Sequence, residues 1–171
     1  MSGLGSTWIP IFLALFYSHQ FMTPLDTPDQ ALNPYGVDQE RYEAFVKDFG
    51  VYIPFADFLG FRFISAQDGQ SVLHYEAQDP HMNSFKVTHG GALMTLMDVS
   101  MANAARSTEK GSRVVTIELK TSFFNPAKGP LKAYGQLLHR TKSMAFMETK
   151  VFDAQEVLCA HATGTFRYVK P

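Results

Sequence analysis

At 171 residues the chain falls in the range where one domain with one core is expected. Hydrophobic residues make up 46% and charged residues 18%, which excludes a disordered chain. With 15 basic against 16 acidic residues and a net charge of -1, there is no electrostatic reason to expect nucleic acid or an anionic membrane as partner. The single cysteine, Cys159, excludes an internal disulfide and suits a reducing, cytoplasmic setting.

Residues 8–17 (WIPIFLALFY) form an apolar run of roughly signal-peptide core length that is too short to span a bilayer. No Lys or Arg precedes it, since the first basic residue is Arg41, and no small-x-small cleavage site follows. Residues 1–37 are therefore expected to be a flexible extension, with Met22 an alternative start, and 38–171 the folded domain.

Residues 38–50 place Tyr42, Phe45, Val46 and Phe49 at helical spacing between a capping Asp38 and a terminating Gly50, which predicts a short amphipathic helix. Residues 59–64 and 71–77 read as strands around the Asp68-Gly69 turn. After a loop at 78–88 comes a helix at 91–105, rich in Ala, Leu and Met and apolar on nearly every side, which belongs inside. From Arg113 the texture alternates: Val115, Ile117, Leu119, Thr121 and Phe123 share one strand face, and Thr116, Glu118, Lys120 and Ser122 the other. The turn at 125–130 (NPAKGP) and strands near 131–139, 144–152 and 157–169 complete what reads as an antiparallel meander. The pattern predicts an α+β fold, a curved antiparallel sheet wrapped around a long central helix.

An apolar helix is a costly place for an ionised carboxylate, yet it carries Asp98. Asp98 lies seven residues after Gly91, close to two turns, so it shares a face with the helix start about 10 Å away. The first amide N–H groups of that helix lack internal partners and carry partial positive charge, so Gly90 and Gly91 can bind a developing oxyanion, their missing Cβ leaving room for a ligand. The Lys-Ser/Thr of a phosphate-binding loop is absent, which favours an acyl oxygen. Just upstream, His89 and Asn83 can position a carbonyl or a water. Each of these residues has a structural explanation when taken alone; their convergence on one loop and one helix face points to a site. The gaps between His74, His81 and His89 match no standard metal-ligand spacing, so no metal is expected.

Asn83, His89-Gly90-Gly91 and Asp98, within THGGALMTLMD, together with LGFRF from Leu59, VTIELKTSFFNPA from Val115 and HATGTFRYV from His161, resemble the hotdog-fold acyl-CoA thioesterases of the phenylacetate-pathway type. The resemblance runs from about residue 59 to residue 169. It implies subunits that join their sheets edge to edge as homodimers, often paired into homotetramers, with active sites between subunits and no cofactor. It also implies that Asp98 is nucleophile or general base, that the Gly90 N–H holds the oxyanion, and that His89 and Asn83 hold the carbonyl and the attacking group. Thr116 matches a position where some members place a water-orienting hydroxyl. One departure is Lys86, where the family often has glycine three residues before the histidine. Lys86, Lys128 and Arg140 are candidate contacts to CoA phosphates. The 8 Met and 15 Phe can line an acyl tunnel or simply fill the core. The expected activity is hydrolysis of an acyl-CoA thioester, against a non-catalytic module that binds acyl-CoA or a lipid-like ligand, or an enoyl-CoA hydratase.

Overall fold

The computed structural model describes residues 33–169. The expected extension, with its apolar run and Met22, therefore lies outside the described residues up to position 32. Asn33 donates from Nδ2 to the Val37 carbonyl at 2.7 Å, and the Tyr35 ring lies against Tyr42 and Tyr52.

Helix α1, Gln39–Phe49, starts where expected because Asp38 Oδ1 accepts the Arg41 N–H at 2.9 Å, and it stops at Gly50, which takes a left-handed φ of 71°. Phe45 and Phe49, one turn apart and stacked at 4.3 Å, pin it to the core. A second helix, α2 at Pro54–Leu59, was not expected; the predicted strand at 59–64 begins later, as β1 at Arg62–Gln67. Six residues are too few to show a helical period, although Pro54 at the first turn and Gly60 after the last are both typical of helix ends.

The remaining elements are β2 (Gln70–Glu76), a 3-10 turn (Asp79–His81), α3 (Gly90–Ser107), β3 (Arg113–Phe123), β4 (Pro130–Arg140), β5 (Met144–Phe152) and β6 (Leu158–Val169). All strand pairs are antiparallel in the order β1-β2-β4-β5-β6-β3. This is the α+β hotdog architecture that the sequence predicts, with one correction. Only β4, β5 and β6 form a meander: β3 crosses to the far edge and pairs with β6, so the turn after it does not close a hairpin.

Helix α3 lies along the concave face. Its Leu93, Leu96, Met97 and Met101 are buried, as are Leu73 and Tyr75 of β2, Leu131 and Ala133 of β4, Met147 and Val151 of β5, and Ala162 and Phe166 of β6. At the closest approach of helix and sheet, Ser71 Oγ donates to the Ser100 carbonyl at 2.7 Å, and a Cβ on Gly135 would stand 2.7 Å from both serine hydroxyls. The helix is not covered all round, however: Gly91 and Met94 are exposed and Asp98 is half-buried, so one strip of it looks outward.

The strip runs beside β3, where a β-bulge skips Ile117: Thr116 pairs with Phe166 and Glu118 with Thr165. The bulge changes the phase of the strand. Val114 and Thr116 face inward before it, and Leu119 and Thr121 after it, while Val115 and Ile117 are left 46% and 56% exposed. The uniform alternation expected from Val115 onward thus holds only beyond the bulge. No helix among the described residues is long and apolar enough to cross a membrane.

Candidate active site

The loop before α3 is built on Asn83. Its Oδ1 accepts the Phe85 N–H at 2.9 Å, its carbonyl accepts the Lys86 N–H at 2.9 Å, and its N–H donates to the Val87 carbonyl at 2.9 Å. Lys86 takes a left-handed φ of 55°, so this chain keeps a glycine-like backbone where its sequence departs from glycine. Two further bonds fix the exit of the loop: Thr88 N–H to Ala127 O at 3.0 Å, and His89 N–H to His81 O at 2.9 Å. Asn83 is thus a loop organiser through its oxygen, and its side-chain NH2 remains unbonded among the described residues.

His89 is the N-cap of α3. Its Nδ1 accepts the Gly91 N–H at 2.9 Å, which leaves the proton of a neutral ring on Nε2. The His89 carbonyl accepts from both Ala92 and Leu93. Of the first four amides of the helix, that of Gly90 alone has no partner among the described residues. The expectation that both glycines offer an N–H is corrected here, because the cap occupies that of Gly91. The reason for having glycine also differs. A Cβ on Gly90 would lie 3.3 Å from the Phe123 ring, and one on Gly91 would lie 3.1 Å from His89 Nδ1.

Two turns along, Asp98 is half-buried, and Thr116 Oγ1 donates to its Oδ1 at 2.7 Å. Burial pushes the carboxyl pKa up, and the Thr116 hydrogen bond pulls part of that back. Its second oxygen has no hydrogen-bond partner among the described residues, which leaves a basic atom for a ligand or water.

A cleft of about 610 Å³ opens at Gly90. It is lined by the Asn83 loop, by Leu93 and by residues 123–128, with Lys128 and Asn125 among its polar groups. Phe85, Phe123 and Phe124 stand at it 82%, 52% and 55% exposed. The Phe content was expected to line an acyl tunnel or fill the core, with none of these three singled out, and the signal in the sequence was the pairing of two aromatics just before Asn-Pro. Asp98, Thr116, His89 and Lys86 do not line the cleft.

Arg140 is placed at the opposite end of α3. One guanidinium nitrogen donates to the Thr108 carbonyl at 2.9 Å, the other pairs with Glu109, and the group lies 4.8 Å over the Tyr168 ring. The structure therefore does not bring Arg140 to the cleft. No cluster of three or more His, Cys, Asp or Glu able to hold a metal occurs among the described residues.

Residues 85–160 match the family described as the thioesterase superfamily. Acyl-coenzyme A thioesterase 13 of Homo sapiens is 27% identical over 85 residues, 48% of this chain and 61% of the human one. A Saccharolobus solfataricus sequence, provisionally named as an esterase, is 28% identical over 111 residues, 64% of this chain and 74% of its own. The PaaI protein from the E. coli phenylacetic acid degradation operon superposes with a TM-score of 0.67 at 22% identity, covering 76% of this chain and 94% of PaaI. The sheet that wraps the motif-bearing helix and these matches show a hotdog fold, in a chain that is similar over residues 85–160 to the thioesterase superfamily.

Proposed function

We propose that the protein hydrolyses an acyl-CoA thioester to a free acid and CoA, in the cytoplasm and without a cofactor. The observation that carries this is one free amide, that of Gly90, heading the same helix that holds a half-buried carboxylate with one unbonded oxygen. Asp98 draws a proton from water as the water oxygen bonds to the thioester carbon, or attacks that carbon itself to give an anhydride that water then opens. The carbonyl oxygen becomes an oxyanion and is met by the Gly90 N–H. Collapse breaks the C–S bond, and the thiolate leaves as CoA once protonated. Thr116 holds one oxygen of Asp98 and so aims the other, while Asn83 and His89 set the loop and helix start against which the acyl group lies. Lys128, which lines the cleft, and Lys86, on the turn between the cleft-lining Phe85 and Val87, are the side chains we assign to CoA phosphates.

One carbonyl cannot meet both Gly90 and Asp98 of the same chain, because eight residues of helix separate them by about 12 Å along its axis. The site therefore needs two copies, Gly90 from one and Asp98 from the other. The bare edge of β3, with Val115 and Ile117 exposed beside the open strip of α3, is the surface on which a second copy would extend the sheet. A homodimer, alone or paired into a homotetramer, follows.

The test is thiol release across short, long and aromatic acyl-CoAs, measured on the native chain and on Ile117→Lys. The native chain is expected to release thiol and Ile117→Lys to be monomeric and inactive. Absence of thiol release across the panel would favour a binding module, and loss of an enoyl double bond without thiol release would favour a hydratase. A monomeric variant with full turnover would sink the shared site.

A further inference from the structure

Away from the cleft, three basic side chains stand in one cross-strand row. Arg62 of β1 lies opposite His74 of β2, and His74 lies opposite Lys132 of β4. Neighbouring strands are roughly 4.8 Å apart, so the row spans about 10 Å. Leu73 and Tyr75, on either side of His74, are buried against α3, which puts His74 on the outer face of the sheet. Like charges in a row across a sheet repel and need a reason to be there.

Their counter-charges are weak. Among the described residues Lys132 reaches only Glu156, at 3.8 Å and with that carboxylate 68% exposed, which water screens. Arg62 has no ion-pair partner among the described residues. Beside the row, a groove of about 390 Å³ runs between α1, α2 and β1, with Phe63 and Ile64 as its apolar wall. Its other charges are Arg41, Asp48 and Asp57, and Asp57 is already held by Arg41 at 2.9 Å and by the Tyr52 hydroxyl at 2.5 Å. Glu76 follows two residues later on the same face of β2. Burial first, and then Lys132 and Arg62, push the His74 pKa down, with no offsetting carboxylate among the described residues.

We propose that this row is a binding site for a phosphate group, held by Arg62, His74 and Lys132 at the end of the groove. A dianion would satisfy both permanent cations at once, with Arg62 able to donate two parallel N–H bonds and His74 supplying a ring N–H once protonated. The phosphate can arrive free or as the ribose phosphate of CoA, and its recognition chemistry is the same. The site stands on its own register and charges and does not depend on thioester hydrolysis.

The experiment follows the His74 ring by NMR through a pH titration of the full chain, at matched ionic strength in chloride, inorganic phosphate, CoA and dephospho-CoA. In chloride His74 is expected to titrate below the usual histidine value, and inorganic phosphate is expected to raise it. A shift with CoA that dephospho-CoA does not produce supports the site with the phosphate delivered on CoA. A shift with inorganic phosphate and none with CoA supports it as a site for free phosphate. The double variant Arg62→Gln, Lys132→Gln should raise the His74 pKa in chloride and weaken phosphate binding at least roughly ten-fold, the scale of one lost charge-assisted pair. An unmoved His74 in all three phosphate-bearing solutions, or a shift that survives in the double variant, would overturn the proposal. Thiol release by the native chain is unaffected by either result, so this site and the proposed hydrolysis fail separately.

Discussion

At its C-terminal end α3 is tied down by side-chain hydrogen bonds. Ser107 Oγ donates to the Ala104 carbonyl at 2.7 Å and accepts the Gly69 N–H at 2.9 Å, Thr108 and Tyr168 both donate to Ala105 O, and Arg140 covers Thr108 O. At its N-terminal end the same helix leaves the Gly90 amide without a partner among the described residues, under an exposed phenylalanine, and two turns later keeps a carboxylate half-buried with one oxygen unbonded. Both ends face the same need, since any helix terminus carries orphan backbone groups. One end meets that need with several side chains of its own chain, while the other caps Gly91 with His89 and leaves the Gly90 amide open. The difference separates what stabilises this fold from what is kept available for a ligand, and it can be broken from either side.

The largest effect is expected at Asp98. Asp98→Asn should lower kcat/KM by roughly 10²- to 10⁴-fold, the usual contribution of a positioned base. The same change should raise Tm at neutral pH. Burial lifts the folded-state pKa of Asp98 above its unfolded value, so the folded chain holds that proton more tightly. The stability this group contributes is complete at low pH and is lost as pH rises through the folded pKa. At pH 7 the native carboxylate is therefore a burden on the fold, and a neutral amide removes it. A kinetic assay and a melting curve on one sample check both halves. Loss of activity together with loss of stability would make Asp98 a structural acid and erase the contrast between the two ends.

Arg140→Ala tests the closed end and should do the reverse. It strips the Thr108 carbonyl of its donor, leaves Glu109 unpaired and uncovers Tyr168. The ion pair is about one third exposed, so its share is discounted, and a loss of about 1–2 kcal/mol in urea unfolding is expected, chiefly from the carbonyl bond and ring contact. Turnover per folded molecule should be unchanged. A fall in turnover at unchanged stability would place Arg140 in the functional machinery after all.

The sequence showed α3, with Gly90 at its start and Asp98 along it, clearly, because helical period and glycine position are local properties. Asp98 stood out as a charge on an apolar helix, and helix geometry put it on the face of the helix start, although too far from Gly90 of the same chain for one carbonyl to meet both. What stayed hidden depends on partners far along the chain. Arg140 reads in the sequence as a free cation; only the pairing of β4 with β5 and the fold of the 108–109 corner bring it to the end of α3. The aromatic cleft is assembled from the Asn83 loop and the turn after β3, about forty residues apart in sequence. Helix α2 was too short for its period to show. The position of β3 at the far edge is set by competition among strands for neighbours, which local pattern does not encode.

The bulge at Ile117 was hidden for the same reason, and it has a chemical consequence. Without the extra residue, Thr116 would share the outward face with Glu118, and Asp98 would have no donor; with it, the Thr116 hydroxyl is turned to Oδ1 at 2.7 Å. Thr116→Val keeps the shape and removes the donor. Because that hydrogen bond favours the ionised carboxylate, its loss should raise the Asp98 pKa further, and the acid limb of kcat/KM should move to higher pH while the plateau above it changes little. Thr116→Ser, which keeps the hydroxyl, should hold the limb in place. This is the smallest effect of the series and the most specific, since a strand residue with only a packing role would alter stability and leave the pH profile where it was. A limb that fails to move in Thr116→Val would detach Thr116 from the open end of α3 and leave Asp98 to be set by burial alone.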